Sequence, residues 1–64
     1  MKRTKFIKYL LQNGCEKSRE GKRHTIFWNP DTNKAVAIPR HSEIKDILVE
    51  VICKELGVNP PGER

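Results

Sequence analysis

Apolar residues change their spacing along the chain, and each change marks an element. From Lys5 to Asn13, Phe6, Ile7, Leu10 and Leu11 recur at i, i+1, i+4 and i+5, one side of a 3.6-residue period. That spacing predicts a first helix, with Thr4 as its N-cap and Asn13-Gly14 as a left-handed stop. Lys2, Arg3, Lys5 and Lys8 are expected on its solvent side. Cys15 to Arg19 is polar and reads as a weak strand, followed by a turn at Glu20-Gly21-Lys22. His24 to Asn29 is β-branched and aromatic, which predicts a central strand with His24, Ile26 and Trp28 on one face and Thr25 and Phe27 on the other. Both faces carry apolar groups, so alternation leaves open which of them covers the core. Asn29-Pro30-Asp31-Thr32-Asn33 is a cluster of turn formers, and Lys34 to Ile38 completes a hairpin that Pro39 ends. From Glu43 to Leu56, the residues Ile44, Ile47, Leu48, Val51, Ile52 and Leu56 keep helical spacing. Ser42 is the expected N-cap of this second helix, Gly57 its C-terminal glycine, and Pro60-Pro61 a block to continuation.

The predicted order is α-β-β-β-α, an α+β fold with a three-stranded antiparallel sheet and both helices on one of its faces. Residues 1–58 are expected to form a single domain and residues 59–64 a flexible tail. Length agrees with this, because 64 residues allow one small core and bury roughly 60% of the surface that the unfolded chain exposes. No apolar run approaches the roughly 18 residues of a membrane span. The stretch behind Lys2 and Arg3 is broken by Lys8 and Gln12 and lacks a small-residue cleavage site, so no secretion signal is read. Cys15 and Cys53 are the only cysteines, fewer than small disulfide scaffolds usually carry, and reduced thiols in the cytoplasm are expected.

Charge changes the picture more than composition does. Residues 1–24 hold eight Lys and Arg against Glu16 and Glu20, a net of +6, whereas residues 25–64 carry a net of −1. The whole excess of +5 therefore lies in the first third of the chain, which points to a polyanion such as RNA or DNA as the partner. Solubility is the plainer use for such lysines.

Few groups are available for chemistry. Cys15, His24, His41 and Cys53 are separated by eight, sixteen and eleven residues, with no short paired spacing of a metal site. Neither a Gly-rich phosphate loop nor a sequence-adjacent base for a cysteine nucleophile is present. No cofactor is expected. His24 stands out because it follows Gly21-Lys22-Arg23 at the start of a strand, an imidazole beside two cations. Histidine exchanges protons near neutrality, so it can take the proton of a ribose 2′-hydroxyl or protonate a leaving 5′-oxygen while Lys22 and Arg23 offset charge on the phosphorane. A solvated surface histidine is the plainer reading of the same residues. Ile38-Pro39-Arg40-His41-Ser42 also reads two ways: as a strand end and helix cap, or as a phosphate clamp of Arg40 and His41 beside a helix start. Lys5 and Arg19 are further phosphate-binding candidates from the basic third. Trp28 is either a packing residue or a platform for an unpaired base.

These segments, in this order, resemble the HicA family of bacterial toxin ribonucleases. The resemblance covers about residues 3 to 58. It rests on the basic opening Lys2 to Leu10, Gly14-Cys15, Gly21 to Phe27, Asn29-Pro30-Asp31, Ile38-Pro39-Arg40-His41, and Ile44 to Gly57. Two places depart from the family's usual pattern. Lys22-Arg23 precedes the histidine where Gly-Ser is common, and Lys45-Asp46 stands where many members carry Gly-Thr. The resemblance implies a double-stranded-RNA-binding-like fold and metal-independent cleavage of mRNA, with His24 in the place of the catalytic histidine; His41 and Trp28 are auxiliary candidates from the residues themselves. It also implies inhibition by a cognate HicB-type antitoxin, with a higher-order complex of the two as one form. A non-catalytic RNA-binding module fits the same order of elements, and an adaptor for an acidic protein is a third reading.

Overall fold

The structure, a computed structural model, describes residues 1–62. Its elements are α1 (Arg3–Gln12), β1 (Glu16–Glu20), β2 (His24–Asn29), β3 (Lys34–Pro39) and α2 (Asp46–Leu56), the expected α-β-β-β-α order. The sheet is antiparallel in the order β1-β2-β3, with β2 central. Thr25, Phe27 and Asn29 turn inward to the helix-covered face, and His24, Ile26 and Trp28 turn to the open one, which settles the choice that alternation left undecided. Ser18 is the extra residue of a bulge between Lys17 and Arg19, and every residue of β1 is exposed.

Both helices end in the same motif, which seats the residue after the turn in the core. Cys15 N donates to the Leu10 carbonyl and Gly14 N to that of Leu11, and at α2 Val58 N donates to Cys53 and Gly57 N to Lys54. Cys15 and Val58 are both buried. Gly57 has φ +76°, and a Cβ there would stand 2.7 Å from Thr32 Cγ2. The β2–β3 turn docks on this helix end, since Asn29 Nδ2 and Thr32 Oγ1 both donate to the Leu56 carbonyl, at 2.8 and 3.0 Å. The buried Asn29 is thereby satisfied, its Oδ1 accepting from the Asp31 amide at 3.0 Å.

Both helix starts differ from expectation. α1 begins at Arg3 after Lys2, with no side-chain cap, so Thr4 is its second residue and not the N-cap. α2 begins at Asp46 rather than near Glu43, and Ser42 does not cap it. The reason is tertiary pairing: Arg3 N donates to the Ser42 carbonyl, Ile44 N donates to the Met1 carbonyl, and Lys2 bridges Glu43. With these backbone groups paired to the N-terminal segment, residues 42–44 lie outside the helix.

The buried stripe of α2 matches the expected one at Ile52 and Leu56 and departs from it elsewhere, while Ile44 is buried ahead of the helix. Val49, Ile52, Cys53 and Leu56 pack inward at i, i+3, i+4 and i+7, while Ile47, Leu48 and Val51 are 69%, 36% and 43% exposed. Leu11 of α1 is likewise exposed, leaving Phe6 and Leu10 as that helix's buried residues. Phe6, Leu10, Phe27, Ile38, Ile44 and the inward stripe of α2 make one core, completed by Cys15 and Val58. Burial pushes the Cys15 thiol up, and burial followed by the neighbouring Cys15 pushes that of Cys53 to about 11; both thiols are free. Beyond Val58, the Asn59 carbonyl accepts the Tyr9 hydroxyl, and Pro60 and Pro61 are half-buried. The remainder of the expected tail, residues 63 and 64, lies outside the described residues.

Candidate active site

Antiparallel pairing of β2 with β3 builds the site. His24 is paired with Pro39, so the residue before β2 and the residues after β3 emerge at the same end of the ladder. Arg23, His24, Pro39, Arg40 and His41 line a cleft of about 320 Å3 there. The two segments singled out separately in the sequence, Lys22-Arg23-His24 and Pro39-Arg40-His41, thus converge in space. His24 and His41 are both exposed.

The loop at 21–23 that leads into His24 is tight. Gly21 N donates to the His24 carbonyl at 2.8 Å, and a Cβ on Gly21 would stand 2.9 Å from that oxygen. A glycine three residues before the histidine therefore serves this loop, with Lys22 and Arg23 at its exposed tip.

A relay of polar groups braces the cleft from the helix side, and the sequence reading missed it. Arg3 Nη2 donates to Thr25 Oγ1 at 2.8 Å, and the Thr25 hydroxyl donates to Glu20 Oε2 at 3.1 Å. That carboxylate oxygen lies 2.6 Å from Arg40 Nη2, while Arg40 also donates to the Gly21 carbonyl and Arg3 Nε to the Pro39 carbonyl at 2.9 Å. Arg3 is consequently a half-buried brace and not part of the solvent ring expected on α1. The Thr25 hydroxyl, then the Arg40 and Lys17 charges, hold the Glu20 carboxyl below the usual range against the opposing effect of desolvation. The available signal was small: Glu20 is one of two acids in a basic third, and Thr25 follows His24 on the opposite face of its strand.

Arg40 meets the cleft with part of its charge offset by Glu20, whereas Arg23 and Lys22 have no carboxylate partner among the described residues. Lys22, Lys5, Arg19 and Trp28 do not line the cleft. Arg19 pairs with Ile26 and Trp28 shares the open face of β2 with His24, so both lie on the sheet surface that runs away from the cleft. Lys5 is exposed on α1. The start of α2 stands five residues beyond His41, which removes the helix end from the proposed Arg40–His41 clamp. Among the described residues, no three of His, Cys, Asp and Glu are grouped to hold a metal ion, and no helix is long and apolar enough to cross a membrane.

Two imidazoles and two guanidinium groups around one open cleft can move protons and hold a phosphodiester. No curated protein and no solved structure matches the chain. The family model described as HicA toxin of bacterial toxin-antitoxin matches residues 3–58, both helices and all three strands. On that match, which covers nearly the whole sequence, the chain belongs to the HicA family and is a toxin of a bacterial toxin–antitoxin pair.

Proposed function

We propose that this chain is a metal-independent endoribonuclease that cuts messenger RNA in the cytoplasm and is silenced by a HicB-type antitoxin. The observation that carries the reading is the convergence of His24, Arg23, Arg40 and His41 on one cleft at the end of the β2–β3 ladder. Neutral His24 takes the proton from a ribose 2′-hydroxyl, and the 2′-oxygen attacks the adjacent phosphorus. The bond from phosphorus to the 5′-oxygen breaks, and that oxygen takes a proton from an imidazolium, for which His41 in the same cleft is the candidate. The products are a 2′,3′-cyclic phosphate and a 5′-hydroxyl. Arg23 and Arg40 offset charge on the non-bridging oxygens, and Lys22 draws the strand to the loop. Lys5 and Arg19 extend the basic surface to more distant phosphates.

An acidic partner protein fits the same cleft by charge and would exclude RNA from it. Binding to the folded toxin would also stabilise this small domain by mass action.

Cleavage of single-stranded RNA in the presence of EDTA tests the reading. His24→Ala is expected to lower the rate by about 10²–10⁴, the usual worth of a general acid or base. Undiminished cleavage by that variant overturns the role of His24. Tight, salt-sensitive binding without scission by the wild-type chain favours a non-catalytic RNA-binding module.

A further inference from the structure

The helix-free face of the sheet has a relief that the cleavage chemistry does not use. Cross-strand partners share a face, so three rows cross it: Glu16, Trp28 and Ala35; then Arg19, Ile26 and Ala37; then His24 beside Pro39. The β3 side of each of the first two rows is an alanine, which leaves the Trp28 ring without a tall neighbour along that flank. Trp28 is half-buried, as is Ile26, and the surface between them leads to His24 and the cleft.

We infer that Trp28 is a stacking platform for an unpaired base of the RNA strand whose phosphodiester lies at His24. This deepens the ribonuclease reading and rests on it for the position of the strand. The occupant follows from charge and continuity. Arg19 flanks the path, Lys22 and Arg23 stand at its cleft end, and Glu16 is the one acid in the three rows. A polyanion with apolar bases suits such a strip better than an acidic or neutral protein segment does. Four residues of strand place Trp28 about 13 Å from His24 along β2. A stacked strand rises about 3.4 Å per nucleotide, so the base on Trp28 lies within about four nucleotides of the reacting bond. A base in a duplex is stacked between its neighbours and offers no face to the ring, whereas sheet aromatics take unpaired bases with little regard to sequence.

Trp28 is the only tryptophan, so its fluorescence reports this surface alone. Wild-type protein is titrated with a short single-stranded 2′-O-methyl RNA, which cannot be cut through its 2′-oxygen, and with a duplex of the same sequence. The single strand is expected to quench the emission and the duplex to leave it unchanged at saturation. Trp28→Leu should weaken binding of the single strand, followed with labelled RNA, by about five- to a hundredfold, and Trp28→Phe should restore most of it. Saturation without quenching, equal quenching by the duplex, or unweakened binding by a folded Trp28→Leu protein each overturns the inference. Quenching that grows with protein concentration alone also overturns it, by assigning the face to a second copy of the chain. The two readings fail separately. Quenching with no cleavage of ordinary RNA keeps the platform and removes the enzyme, and cleavage with no quenching does the reverse.

Discussion

β2 and α2 are both rich in apolar residues, yet their patterns carry different amounts of structural information. In β2 the bounds were legible to the residue, and only the choice of inner face was undecided. In α2 seven of eleven residues are apolar, so at least two stripes satisfy helical spacing. The expected stripe ran through Ile47, Leu48, Val51, Ile52 and Leu56, whereas the buried one runs through Val49, Ile52, Cys53 and Leu56, so the two share only Ile52 and Leu56. A period of two offers two faces. An almost wholly apolar helix offers a continuum of rotations, and only the surface it meets selects one.

Substitutions on the two elements can break or sharpen this contrast. The largest effect is expected at Phe27, fully seated beneath the sheet: Phe27→Ala should cost about 3–5 kcal/mol in chemical denaturation. A domain of this length has roughly 0.05–0.15 kcal/mol per residue to lose, about 3–10 kcal/mol in all, so that variant should forfeit a large share of its stability. Ile52→Ala comes next at about 2–5 kcal/mol, and a loss as small as that of a surface change would mean that α2 is rotated from the position described. Thr25→Val keeps the β-branched shape but removes the hydroxyl that links Arg3 to Glu20, and since each keeps another partner a loss of about 0.5–1.5 kcal/mol is expected.

Glu20 gives a pH-dependent test of the same relay. Its carboxyl is held below the ordinary value of 4.5, so the stability it contributes is fully present above that pH and is lost as pH falls through the lowered value. The denaturation midpoint of the wild type should therefore drop below about pH 4.5 more steeply than that of Glu20→Gln. Parallel curves would show that the Thr25 and Arg40 contacts do not persist in solution. The smallest effect belongs to the exposed stripe, where Ile47→Ser should change stability by less than about 0.5 kcal/mol. A loss near that of Ile52→Ala would show that α2 turns its Ile47 side inward.

The candidate site was legible in pieces. Lys22-Arg23-His24 and Arg40-His41 each stood out alone, but the turn cluster Asn29 to Asn33 did not fix the register, which pairs Asn29 with Lys34 and so His24 with Pro39. The Arg3–Thr25–Glu20–Arg40 relay was different in kind. Its members come from α1, β2, β1 and the segment after β3, and no local spacing links them.

Sequence alone determined the order of elements, the two glycine-closed helix ends, the β2–β3 turn and the basic first third, because each depends on neighbours within a few residues of chain. Tertiary structure decided where both helices start, which stripe of α2 is buried, and which face of β2 carries His24 and Trp28. These outcomes depend on partners that are distant in sequence. Residues 42–44 stay outside α2 because the N-terminal segment takes their hydrogen bonds, and α2 is turned to the rotation that its packing against β3 selects.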